Sequence, residues 1–235
     1  MGLALRVGML VDLADEDPEG FEHHAFALRR LNRLLVQSGL PAHDEPEDCE
    51  PWDGEMISYS GLHDLRRVAA YLDCGEPLPP PARGPGASDD ACLEGYFAVA
   101  EADDGGRRPG LFARLFGKKP RYRRGFDHLL LHSDAEGYYL PIDFAEVLFA
   151  PLDLEIPGVA VGSAPRLLAE LERIAAALRI PDHLTAQSDE LWEASDDPPE
   201  EGETWRRYGR ESFGCVTLRE GCRHAIAQRA ALVFT

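Results

Sequence analysis

The chain has 235 residues, a hydrophobic fraction of 44% and a formal net charge of −18 at pH 7. This apolar content excludes a disordered chain in spite of the charge, and the length is sufficient for one large domain or two small ones with a buried core. No apolar run approaches the roughly 20 residues that span a bilayer, so no membrane-spanning helix is expected.

The N-terminus and the cysteines both indicate a cytoplasmic protein. Residues 1–12 lack a charged leading region and a small-residue cleavage site, so a signal peptide is not predicted. The five cysteines are odd in number, scattered along the chain and without a CxxC pair. This usage favours reduced thiols that pack mostly as small hydrophobic side chains.

The N-terminal part predicts a buried strand followed by a helix. Residues 3–11 form a nearly continuous apolar run, which is typical of a buried strand. Asp17 and Pro18 then predict a helix start, because Asp is a favourable N-cap and Pro suits the first helical position. Gly39 predicts the end of that helix.

The next part predicts a polar loop, a second helix and a linker. The loop at 43–55 contains seven acids, and a short strand around 56–59 precedes a helix over 60–75. The proline-rich segment 77–86 can form neither a helix nor an inner strand. We interpret it as a surface linker and place a possible subdomain boundary at 76–93.

The middle of the chain predicts strands. Residues 94–102 are expected to form a strand with alternating faces, and 126–132 and 138–142 to form a hairpin. The segment 103–125 would then be a long basic excursion from the sheet.

The C-terminal third predicts a strand at 159–162, a helix capped by Ser163 and a final strand at 230–234. The tail before that strand is ambiguous. The spacing at 217–220 matches a capping box and favours a helix from Thr217, whereas 213–218 also fits a strand.

Together these elements predict an α+β (mixed α/β) fold, with a mostly antiparallel sheet and about four helices packed against it. We expect a single domain over 1–235, because the linker is short and residues 1–75 alone would have a thin core.

Motifs for catalysis or metal binding are not evident in the sequence. His128 and His132 are four residues apart, but on a strand their rings would be roughly 13 Å apart, too far to share an ion. Nucleophile-elbow and phosphate-loop motifs are missing, so no metal and no cofactor is expected. An enzyme, a hydrolase, stays an alternative if Asp127, His128, Asp143 and Glu146 assemble a dispersed site.

The segment 107–124 holds eight basic residues and no acid, while the other residues include 16 basic and 42 acidic ones. It is interpreted as a flexible loop that offsets nearby acids, as a surface for an anionic protein or self-association, or as a nucleic-acid or membrane element. The field of the remaining charge opposes phosphate binding. The cations selected in this basic loop are Arg114, Lys118, Lys119, Arg121, Arg123 and Arg124.

Two acidic segments, 43–55 and 189–203, each contain a tryptophan, and the second has eight acids in fifteen residues. Solvated loops that maintain solubility are one interpretation. The other is a surface for a basic partner, because Trp amid complementary charge is typical of an interface anchor. The residues expected to contact the partner are Asp44, Glu45, Glu47, Asp48, Trp52, Glu190, Trp192, Glu193, Asp196 and Asp197.

The sequence therefore favours a non-catalytic intracellular binding protein whose acidic surface neutralises a basic protein. This general character, acidic and without catalytic motifs, is similar to that of bacterial immunity proteins, which implies a toxin as the basic partner. No nucleic-acid partner and no membrane span are expected, and the oligomeric state is left open.

Overall fold

The computed structural model describes residues 3–56, 59–83, 90–104 and 122–235. In these residues a six-stranded sheet lies between two layers of helices. The strands are β1 (Leu3–Val7), β2 (Trp52–Met56), β3 (Gly137–Leu140), β4 (Leu148–Phe149), β5 (Ala160–Ser163) and β6 (Leu232–Phe234). The helices are α1 (Met9–Glu16), α2 (Pro18–Gln37), α3 (Tyr59–Cys74), α4 (Ala91–Asp104), α5 (Asp127–Leu130), α6 (Ala164–Leu178), α7 (Asp189–Asp196), α8 (Thr204–Arg207) and α9 (Gly209–Gln228).

The strand order is β2-β1-β6-β3-β5-β4, and among these strands only β3 and β5 pair in parallel. The predicted α+β class with a mostly antiparallel sheet is therefore confirmed. The prediction of about four helices is wrong, because the described residues alone contain nine. None of the described helices is long and apolar enough to cross a bilayer.

The two faces of the sheet are buried by different helices. Alternate residues of a strand point to opposite faces, so Tyr138 and Tyr139 join different clusters of buried side chains. The Tyr138 cluster contains the apolar side chains of α2, whereas the Tyr139 cluster contains those of α3, α6 and α9. This three-layer arrangement leaves the outer side of α9 as the place where further segments pack.

Helix α9 packs closely on the edge strand β2 because glycines line the contact. A Cβ built on Gly214 would lie 2.8 Å from Cε of Met56, and one built on Gly221 would lie 2.9 Å from the indole of Trp52. The start of β2 therefore contacts the end of α9, and the end of β2 contacts the start of α9. The two elements run antiparallel.

The strand predicted at 94–102 is wrong, because these residues belong to helix α4. Leu93, Tyr96 and Ala100 are buried and recur at helical spacing. The apolar alternation in this segment also fitted a strand, and packing against α3 selects the helix.

The hairpin predicted at 126–132 and 138–142 is also wrong. Residues 127–130 form the short helix α5, while β3 pairs with β5 and β6 instead of with a preceding strand. Phe126, Leu129 and Leu130 are buried at helical spacing on the side of α3 and α6.

Several other predicted elements are confirmed. The N-terminal strand is present, although it ends at Val7 and is followed by α1 after Gly8, whose φ is 76°. The Asp17 side chain caps α2 by accepting from the N–H of Gly20 (3.0 Å), and Ser163 caps α6. The ambiguous tail is helical and forms α9.

Glu170 fastens α6 to α5 from inside the core. Its two carboxylate oxygens accept the N–H groups of His128 (3.0 Å) and Leu129 (2.8 Å). Burial raises the pKa of Glu170 to about 8, and the two N–H donors offset this only in part. The folded state therefore favours the protonated acid, while the unfolded chain ionises near 4.5.

We expect Glu170→Gln to gain stability relative to the native protein as pH rises from 5 to 8. In this window the native fold holds a proton that the unfolded chain has lost, so its free energy of unfolding falls, by at most about 1.4 kcal/mol per pH unit. Urea unfolding at several pH values measures the difference. Glu146→Gln, at an exposed position, controls for the change in net charge. If the difference in free energy of unfolding between the Glu170 variant and the native protein did not change with pH, the conclusion that buried Glu170 is protonated would be contradicted.

Candidate protein-binding surface

The first acidic segment, 43–55, passes the C-terminal end of α9. The Asn32 side chain holds its start, since it donates to the carbonyl of His43 (2.8 Å) and accepts from the His43 N–H (2.7 Å). Farther along, the N–H of Glu50 donates to the side chain of Gln228 (3.2 Å). The exposed acids between these two anchors are Asp44, Glu47, Asp48 and Glu50.

Glu45 differs from its neighbours because its carboxylate points into the protein. It forms a hydrogen bond with the ring of His43, and both side chains are less than a tenth exposed. It also accepts the N–H of Ala231 (2.9 Å). This predicted contact residue therefore fastens the segment to the residues that precede β6.

Trp52, the tryptophan of the first segment, is half-buried at the start of β2. Its ring stacks on His224 of α9 (5.7 Å between ring centroids, 19° between planes). The ring also covers Gly54 and Gly221, where a Cβ would meet it at 2.4 and 2.9 Å. Trp52 thus holds the edge strand on α9 and offers only part of its ring to a partner.

The second acidic segment contains helix α7 and is not the loop that its composition suggested. Glu193 and Asp196 of α7 and Asp197 after it are exposed, as is Asp189. Glu190 instead contacts His183 (3.1 Å) and Arg206 (2.5 Å). The hydrogen bond with His183, followed by the charge of Arg206, lowers the pKa of Glu190, so this carboxylate is ionised and paired within the protein.

Trp192 of α7 is 45% exposed, and its indole N–H donates to the carbonyl of Ala186 (2.8 Å). Its ring meets Phe213 of α9 edge-on, with the centroids 4.6 Å apart. The N–H of Ala186 donates to Glu220 of α9 (3.2 Å). Glu220 precedes His224 by one helical turn, so a continuous set of contacts along α9 joins Trp192 to Trp52.

Helix α9 contacts both acidic segments. The α7 segment contacts α9 through Gly209, Phe213 and Glu220, whereas β2 contacts it through Gly214 and Gly221. At 3.6 residues per turn these two sets of positions lie on neighbouring faces of the helix. Both segments run antiparallel to α9.

The exposed Asp53, Glu200 and Glu203 pair with Arg6, Arg83 and Arg206. We call the eight exposed acids of residues 44–50 and 189–197 the acidic strip. Within the described part of the chain, none of them has an ion-pair partner. From the α7 contact at Gly209 to the contact of Glu50 at Gln228, the strip follows roughly 28 Å of α9, at 1.5 Å per residue. Its members are Asp44, Glu47, Asp48, Glu50, Asp189, Glu193, Asp196 and Asp197.

The charge density of the strip is comparable to that of nucleic acid. Three members of the strip fall within the eight residues of α7, or about one such carboxylate per 4 Å of helix axis. One strand of B-DNA has one phosphate per roughly 3.4 Å of its axis, and a helical turn of DNA is about 34 Å long. The strip therefore spans slightly less than one DNA turn.

Sequence reasoning missed two contributors to this surface, Glu220 and His224. Glu220 is partly exposed between the tryptophans, and His224 supports the Trp52 ring. No local pattern singles them out, because their position depends on which side of α9 receives α7 and β2.

The basic loop is described only at its end. Arg114, Lys118, Lys119 and Arg121 lie outside the described residues. Arg123 and Arg124 follow, and their N–H groups donate to the buried carboxylate of Asp73 at 2.6 and 3.1 Å. The Arg124 side chain pairs with Asp127 (2.8 Å).

The residues proposed for a dispersed catalytic site have other contacts. Asp127 accepts from Tyr96 as well as from Arg124, and Asp143 pairs with Arg166 (2.5 Å) at the surface. His128 is buried, its Nδ1 accepts the N–H of Ser163 (3.0 Å), and burial lowers its pKa. Glu146 is exposed. Among the residues that the structure describes, no three His, Cys, Asp or Glu side chains are grouped as metal ligands would be.

Comparison with known proteins gives one match. A family model described as "Putative DNA-mimic protein" matches residues 1–234. No curated protein and no solved structure matches the chain. The family description overturns two expectations about partners: it indicates a protein that binds nucleic acid where a toxin was expected, and mimicry of DNA conflicts with the expectation that nucleic acid plays no part.

Proposed function

Because the chain belongs to this DNA-mimic family, we propose that it binds the DNA-contacting surface of a basic protein and competes with DNA for it. The protein acts without catalysing a reaction. The observation that carries the proposal is the acidic strip, whose exposed carboxylates lack ion-pair partners among the described residues and follow about 28 Å of α9.

Electrostatics would supply the speed of association and much of its selectivity. A surface of one sign steers an oppositely charged partner and raises the association rate, and the effect weakens as salt rises. Other surface acids are neutralised locally, as Asp143 is by Arg166 and Glu155 by Arg30. The acids of the strip have no such partner among the described residues, so the strip keeps its negative electrostatic potential.

Trp192 would supply residence time within the contact. It is 45% exposed, and its hydrogen bond to Ala186 fixes the ring before a partner arrives. Fixed aromatic side chains surrounded by charge are typical hot spots of protein interfaces. A protein that competes with DNA must share a compartment with DNA-binding proteins. The cytoplasmic location expected from the sequence stays a prediction.

We expect sonicated duplex DNA to elute host proteins that the immobilised chain has captured at low salt, and we expect those proteins to bind DNA. The strongest of them is then purified for a competition assay with a labelled duplex, followed by fluorescence anisotropy. The combined variant Asp189→Asn, Glu193→Gln, Asp196→Asn, Asp197→Asn should displace the duplex about 10- to 100-fold less well, because charge pairs at interfaces contribute this much.

The matched control removes the same charge elsewhere, through Glu94→Gln, Glu136→Gln, Glu146→Gln and Asp153→Asn, all of them exposed. It should change competition less than about threefold, in keeping with the small effect of distant, screened charges. Equal losses in both variants would show that net charge acts and the strip does not. Failure of DNA to elute any DNA-binding protein would refute the mimicry itself.

A further inference from the structure

Two cysteines meet where α3 ends and α4 begins. Cys74 is the last residue of α3 and Cys92 is the second residue of α4, and their sulfur atoms lie 3.3 Å apart. Both are free thiols and both are partly exposed. The contact already holds the two sulfurs close to bonding position, so a disulfide between them needs only a small displacement.

The remaining cysteines lack such a partner or are inaccessible. Cys215 and Cys222 are fully buried, and burial raises the pKa of both thiols, that of Cys215 to about 12. Cys49 is partly exposed, but burial and then the charges of Glu45 and Asp48 raise its pKa. The pair at the α3–α4 junction therefore differs from the other three by its geometry.

We propose that Cys74 and Cys92 form an oxidisable dithiol site that a low-molecular-weight disulfide converts into an intramolecular disulfide. One thiolate attacks the reagent, forms a mixed disulfide and releases one reagent thiol. The second thiolate attacks the protein sulfur of that mixed disulfide, forms the Sγ–Sγ bond and releases the second reagent thiol. The protein loses two electrons and two protons, and the reagent gains them.

Proximity is what makes the second step favourable. Burial, together with the hydrogen bond to Cys74, raises the pKa of Cys92 to about 12, so its thiolate is scarce at neutral pH. The 3.3 Å separation of the two sulfur atoms compensates for the scarcity of this thiolate, because it gives a high effective concentration. An isolated cysteine with the same pKa would keep the reagent adduct or would not react.

The disulfide would fix a junction that other contacts already organise. The segment that follows Cys74 is fastened by Tyr208, whose hydroxyl donates to the carbonyl of Pro79 (2.6 Å), and by Glu211, which accepts the N–H of Ala82 (2.9 Å). Tyr122 donates to the carbonyl of Cys92 (2.7 Å). The crosslink would restrain the unfolded chain more than this preorganised native junction, so oxidation should stabilise the protein.

The test treats the full chain with oxidised glutathione and maps its disulfides by mass spectrometry after trypsin digestion. The sequence makes this direct, because each of the five cysteines falls in a different tryptic peptide, with Cys74 in 68–83 and Cys92 in 84–107. We expect a crosslink between these two peptides, the loss of two free thiols and a melting temperature raised by roughly 6–12 °C, all reversed by dithiothreitol.

Cys74→Ser and Cys92→Ser should each abolish the crosslink and the rise in melting temperature, whereas Cys49→Ser, at another half-buried thiol, should retain both. If Cys74 and Cys92 stay reduced in the native chain, or if each keeps a glutathione adduct, the proposal is overturned. A crosslink that joins either of them to Cys49 would overturn it as well.

Discussion

Gly209→Ala should lower the free energy of unfolding by about 3 kcal/mol, although alanine normally stabilises a helix relative to glycine. A Cβ at this position would lie 1.8 Å from the backbone oxygen of Ala194 and 2.8 Å from the nitrogen of Ser195. These are backbone atoms of α7, so no side chain can turn aside. Helix α7, which carries three of the eight acids of the strip, must move away from α9. Urea unfolding followed by circular dichroism measures the effect.

Gly61→Ala is the matched control, because Gly61 is also helical and the nearest atom that a Cβ there would meet among the described residues is Cε of Met56, at 4.0 Å. It should change stability by less than about 1 kcal/mol. The Gly209 variant should in addition lose competition with DNA. A Gly209 variant as stable as the native protein would show that α7 is not packed on α9 as described.

Arg66→Met should destabilise the fold by about 3–5 kcal/mol, the usual cost of removing one member of a buried charged network. The guanidinium is buried and donates to the carbonyls of Leu129 (2.9 Å) and His132 (2.6 Å) and to the carboxylate of Asp134. Methionine fills a similar volume but removes the donor from the two carbonyl groups and from one oxygen of Asp134. Calorimetry should show a melting temperature lower by roughly 6–20 °C.

The pH dependence gives a second measurement for this variant. The hydrogen bond from His63 and then the charge of Arg66 lower the pKa of Asp134 below its ordinary value of 3.8. A lowered pKa gives stability that is present above this value and lost as pH falls. The difference in free energy of unfolding between the native protein and the Arg66 variant should therefore become smaller below about pH 4. The change should be less than about 1 kcal/mol because Asp134 is half exposed.

Arg166→Met is the control, because its ion pair with Asp143 is exposed on both sides. Its expected cost is below about 1 kcal/mol. Equal destabilisation by the two arginine variants would contradict the role of Arg66 as the donor that joins α3 to the segment after α5.

Local sequence patterns predicted the correct element where a residue type has one common structural role, as N-cap residues have. Asp17 before Pro18 and Ser163 before Ala164 mark helix starts, and both side chains accept the N–H three residues ahead. Local sequence patterns predicted the wrong element where the spacing of apolar residues fitted both the helical and the strand period. Tyr96 and Ala100 match a helix face as well as a strand face, and packing of α4 against α3 decides between them.

The sequence by itself determined the charge, the two acidic segments with their tryptophans and the α+β class, because composition and periodicity are properties of the chain. Only the tertiary structure decided that these segments lie along one helix. Residues 44–50 and 189–197 are far apart in sequence, and they come to lie at opposite ends of α9 because glycines let α7 and β2 approach that helix closely. The same packing turned Glu45 inward and brought Cys74 to Cys92, since contacts between distant segments are set by how helices and strands pack.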